Sequence, residues 1–142
     1  MRPKKLAAYA TAIVLAHLVV TIVHGNAHAK LGVNLGVAGM AFVWAAVIVG
    51  PLVAMALLWT RWQKPGLVLL SLTMAGSLLF GVINHFLVSG NDHVGHQGPG
   101  AAATLFAVSA VGLAVTEALG TLCGVYYLMK RINAQEGSKD LA

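Results

Sequence analysis

Four apolar runs, at about residues 6–24, 37–59, 66–88 and 101–129, follow one another with only short polar or glycine-rich connections between them. At 1.5 Å of rise per helical residue, runs of roughly 20 residues cross a hydrocarbon core of ~30 Å. Charged side chains make up 9% of the 142 residues, against about 25% in a soluble domain, so a soluble fold has too little polar surface to cover these runs. The pattern predicts an all-α integral membrane protein. Its four transmembrane helices occupy residues 1–132, and residues 133–142 form a short polar tail expected to lack order.

The net charge of +5 would suggest nucleic acid in a soluble domain, but here the basic residues cluster beside the apolar runs and act as topology signals. Arg2, Lys4, Lys5, Arg61, Lys64, Lys130, Arg131 and Lys139 fall on one side of the expected membrane, and Lys30 on the other. Both termini are therefore expected in the cytoplasm, with an up-down-up-down bundle whose first and third helices lie on a diagonal. The localisation this implies is a bacterial-type inner membrane, with the outer loops facing the periplasm or exterior. The expected partners are the lipid bilayer and either further copies of the chain or the other subunits of a membrane complex, and not nucleic acid.

Ala27-His28-Ala29 has the small-x-small pattern of a signal-peptide cleavage site, yet the preceding run exceeds the ~7–15 residues of a signal core. It is read as a retained helix; cleavage would remove His17, His24 and His28. Gly50-Pro51 predicts a kink in the second helix, where Met40, Trp44, Pro51 and Met55 fall on one packing stripe. The spacing of Gly120 and Gly124 predicts close helix contact, within the chain or between copies. A single cysteine, Cys123, excludes an internal disulfide and CxxC redox chemistry.

The histidines carry the chemistry. His17, Thr21, His24 and His28 are spaced by four, three and four residues, which puts the three histidines within about 40° of one another at ~100° per residue, so they should point into the bundle. His85 ends the third run at the depth of His24, and Asp92, His93 and His96 follow in a glycine-rich loop. Imidazole and carboxylate suit a transition metal, copper or zinc first and nickel or iron next, with His24, His28, His85, Asp92, His93 and His96 as candidate ligands. Asn84 is a candidate to orient an imidazole. His17 and Glu117 both fall near the bilayer midplane, where an ionisable group needs a partner, and they form a candidate proton-exchanging pair.

Two further readings compete with a metal-dependent enzyme or metal-handling subunit. His24 and His85 could grip haem b from opposite sides, making an electron carrier. Alternatively the midplane pair and the kink could belong to a divalent-metal or proton-coupled permease. His85 followed by Gly90-Asn91-Asp92-His93 resembles the His…Gly-x-Asp-His signature of the nickel permeases that accompany hydrogenase and urease genes. The likeness covers about nine residues, with a spacer one residue longer, and implies divalent-metal chemistry only.

Overall fold

A computed structural model describes residues 3–139, with side chains for residues 4–133. Every regular element among them is helical. The four long helices are α1 (Pro3–Leu31), α2 (Gly36–Leu58), α3 (Gln63–Leu87) and α4 (Ala101–Lys139), each long and apolar enough to cross a membrane. A single 3-10 turn, Val94–His96, interrupts the connection between α3 and α4.

The bounds differ from the apolar runs at two ends. α1 continues past residue 24 to Leu31, carrying His28 on the helix instead of in a loop. It stops in a Schellman turn: Gly32 takes φ +66°, Val33 N–H donates to His28 O at 3.1 Å and Gly32 N–H to Ala29 O at 3.4 Å. The backbone of α4 stays helical to Lys139, through most of the stretch expected to be a tail, of which residues 140–142 lie outside the described residues. Arg2, at the head of the first basic cluster, also lies outside them.

Each long helix packs against two others, α1 on α2 and α4, and α3 on α2 and α4, leaving α1 and α3 on one diagonal. Along α1 and α4 the facing residues run in opposite order, His17 beside Thr116, Val20 beside Gly112 and His24 beside Ser109. Along α4 and α3 they do so again: Gly124 meets Ser71, Gly120 meets Met74 and Glu117 meets Gly81. Adjacent positions on α4 therefore serve different neighbours, since a one-residue step turns a helix by ~100°.

Gly120 and Gly124 act within the chain. A Cβ at Gly124 would lie 3.2 Å from Leu67 O and Ser71 N, backbone atoms that cannot swing away, whereas one at Gly120 would meet only the flexible Met74 side chain. Gly124→Ala is expected to cost about 1–3 kcal/mol by overpacking and Gly120→Ala clearly less. Unfolding titrations in mixed micelles would check the order; equal costs would rule out this account.

Both places where α geometry fails lie beside histidines. In α2, residues Val43–Val49 form a π segment just before Pro51. The π segment shifts the phase of the helix, so the expected stripe breaks: Met40 and Trp44 are 44% and 58% exposed while Pro51 is buried. In α3, Ile83–Leu87 form a second π turn, closed by Val88 N–H donating to Ile83 O at 2.8 Å. It ends the helix with His85 turned inward and buried.

Candidate metal centre

The regular spacing of α1 places His17, His24 and His28 on its inner face, and the π turn of α3 brings His85 across the diagonal to meet two of them. His24 Nε2 lies 3.1 Å from His28 Nε2 and 3.2 Å from His85 Nε2. One ligand atom from each of the three lies within 4.8 Å of the others. Phe106 of α4, fully buried, stacks on His24 with centroids 4.9 Å apart and presents an edge to His28 and His85.

The outer nitrogen of each ring determines what the inner one can do. His24 Nδ1 is 2.9 Å from Ser109 Oγ, whose own proton is directed to the carbonyls of Leu105 and Phe106, so the hydroxyl oxygen accepts from His24. His28 Nδ1 donates to Val33 O at 3.4 Å, a carbonyl brought back by the Schellman turn. His85 Nδ1 donates to Asp92 O at 3.1 Å. With Nδ1 protonated in all three neutral rings, each Nε2 carries a lone pair, a tautomer assigned from the hydrogen-bond network. The two short Nε2···Nε2 contacts are then acceptor facing acceptor. A cation among them removes the repulsion.

Two of the three separations suit that cation, and the third pair, His28 and His85, lies within 4.8 Å. Nitrogen ligands at ~2.0–2.1 Å sit about 2.9 Å apart when cis in an octahedron and about 3.3 Å apart in a tetrahedron. The observed 3.1–3.2 Å lies between the two. Three histidines could hold a transition-metal ion, each with its Nδ1 hydrogen-bonded in the manner typical of metal-bound imidazole.

Asp92 closes the outer side. Its Oδ1 is 3.3 Å from both His28 Nε2 and His85 Nδ1, within ion-pair reach but outside hydrogen-bond geometry, and neither carboxylate oxygen has a hydrogen-bond partner. His93 and His96 do not join the group. His93 Nδ1 accepts from Gly95 N–H at 3.0 Å, His96 Nδ1 donates to Gly90 O at 2.9 Å, and the two rings face each other. Bonds within the loop hold them there, so of its candidate ligands the loop delivers only Asp92. Asn84 donates to Phe80 O at 2.8 Å and orients no imidazole.

The expected His17–Glu117 pair does not form. His17 is 0% exposed; its Nε2 donates to Val47 O at 3.0 Å and its Nδ1 lies 3.4 Å from Thr116 Oγ1. On α4 the position facing α1 is Thr116, and Glu117, one step round, turns toward α3. Its carboxyl makes no ion pair or hydrogen bond among the described residues. Val47 lies in the π segment just ahead of Pro51, and Pro51 brings no N–H to the carbonyls of the preceding turn; His17 donates to one of them, a structural role.

The haem arrangement fails on distance. Trans ligands at ~2.0 Å each stand about 4 Å apart across the iron, with a macrocycle between them. His24 and His85 approach to 3.2 Å at Nε2, with centroids 4.8 Å apart, and leave no slot for a porphyrin.

A cavity of about 290 Å³ opens directly below the cluster, lined by His24, His28, His85 and Asp92 at one end and by Ser77 and Glu117 at the other. Ser109, Phe106, Thr116 and the Val47 carbonyl were not singled out by the sequence; serine and threonine in an apolar helix are the only traces they leave. No protein-family model, curated protein or solved structure matches the chain. The nickel-permease likeness thus rests on its short motif alone, within which His85 and Asp92 reach the cluster and His93 does not.

Proposed function

We propose that this chain is a four-helix membrane protein that binds one transition-metal ion, copper or zinc, through His24, His28 and His85, with Asp92 as fourth ligand. The observation that carries the reading is the convergence of three Nε2 lone pairs whose Nδ1 positions are all committed as donors. Nitrogen and oxygen donors without thiolate favour these ions. The opposite order of facing residues along neighbouring helices supports an up-down-up-down bundle. Basic residues flanking the other helix ends support cytoplasmic termini and a site facing the exterior, across a bacterial-type inner membrane. Its role is metal handling or metal-assisted chemistry at the outer surface. The permease alternative loses its midplane pair.

Elemental mass spectrometry of detergent-purified protein is the direct test. About one copper or zinc per chain is expected, lost in His24→Ala and kept in a His93→Ala/His96→Ala double variant. Absence of metal after reconstitution with either ion, or equal loss in both variants, would overturn the assignment. A smaller effect is expected of Ser109→Ala, which frees His24 Nδ1: affinity should fall roughly 10–100-fold, read by competition with a chromogenic chelator.

A further inference from the structure

The cavity below the cluster has two unlike ends and apolar walls. Its floor is Ser77 and Glu117: Ser77 is 1% exposed and its hydroxyl has no hydrogen-bond partner, and Glu117, 3% exposed, makes no ion pair or hydrogen bond through its carboxyl among the described residues. Ser77 of α3 and Glu117 of α4 both line the cavity from neighbouring helices, with Glu117 set against Gly81, one turn nearer the cluster than Ser77. A buried hydroxyl and carboxyl left together without partners offer one donor and several acceptors to a visiting polar group. Only a group that both donates and accepts satisfies both.

The route in is equally specific. The mouth is rimmed by Ile22 of α1 and by Met40 and Trp44 of α2, which are 67%, 44% and 58% exposed. Exposed apolar residues of two helices thus form part of its edge on the apolar flank of the bundle, and the α1–α2 connection at Val33, Asn34 and Leu35 lines it as well. Pockets for small ligands run from about 300 Å³ upward, so about 290 Å³ suits one ring with a short substituent.

From the unpartnered Ser77 and Glu117 beneath the histidine cluster we infer that this cavity binds a small apolar alcohol or phenol drawn from the lipid phase, its hydroxyl held at the floor. The inference rests on the metal reading for its functional meaning, because the ligand would lie against the metal-facing side of the three histidines. Its binding is separable from the metal.

The test is equilibrium dialysis of zinc-loaded protein in micelles against matched empty micelles, with 4-ethylphenol and ethylbenzene as probes and zinc measured in every sample. Saturable binding of one 4-ethylphenol, at least roughly tenfold tighter than ethylbenzene, is expected, because a site built to bond a hydroxyl rejects the analogue lacking it. In Ser77→Ala/Glu117→Gln that preference should collapse toward unity with zinc content unchanged. Should the double variant fail to fold, Val43→Trp, which fills the cavity from its wall, should abolish binding of both probes. Zinc-replete protein that binds neither probe, or both equally, would overturn the inference while leaving the metal site intact. Protein that binds 4-ethylphenol but no zinc would support the cavity and refute the metal.

Discussion

Replacing His17 with alanine is expected to destabilise the bundle by about 3–5 kcal/mol, combining an orphaned buried carbonyl at about 1–3 kcal/mol with the cavity left by the ring. The effect should depend on a residue 34 positions away in sequence, Pro51. In a Pro51→Ala background the restored N–H can bond to Val47 O, so His17→Ala should cost roughly 1–2 kcal/mol less there. A double-mutant cycle by denaturant titration in mixed micelles measures this coupling. Identical costs in the two backgrounds would show that His17 does not serve the proline. Zinc stoichiometry should not change in the folded fraction of either variant, which separates this role from metal binding.

Asp92→Asn is expected to act with opposite sign in the metal-free and metal-loaded protein. Without metal, Asp92 Oδ1 faces the lone pair of His28 Nε2 at 3.3 Å, and an amide N–H in that place would turn the contact into a hydrogen bond. His85 Nδ1 keeps its bond to the Asp92 carbonyl in either case. The variant should therefore be more stable than wild type by about 0.5–1.5 kcal/mol after chelation. With metal it loses an anionic oxygen donor, and affinity should drop at least tenfold to a hundredfold, the range for removing even an outer-shell partner. Since metal bound only by the folded state stabilises it by about 2.7 kcal/mol at a hundredfold excess over Kd, the melting order of wild type and variant should reverse on adding metal. Thermal melts with and without chelator decide it; the same order in both conditions would sink the role given to Asp92.

The apolar runs and the histidine spacing on α1 were legible because both follow from simple period and length. His24, His28 and His85 could be named as candidates on that basis. What stayed hidden depends on phase. The π segments at Val43–Val49 and Ile83–Leu87 shift a helix by a fraction of a turn, enough to break the Met40–Met55 stripe and to swing His85 inward. The expected His17–Glu117 pair was one residue out of phase for the same kind of reason: the level along the bundle was right, but Thr116 and not Glu117 faces α1. Loop ligands were beyond reach because backbone bonds inside residues 88–100, which no periodicity encodes, separate Asp92 from His93 and His96.

The site draws on separated parts of the chain: two imidazoles from α1, one from the end of α3, and their supporting hydroxyl and aromatic ring from α4. During synthesis, then, the first helical hairpin emerges with His24 and His28 as its share of the cluster, and the third histidine and Asp92 lie some sixty residues further along the chain than these two. Ser109 and Phe106 come later still. On the proposed reading, loading would follow assembly of the bundle, and an ion bound across the diagonal would report that all four helices have found their places.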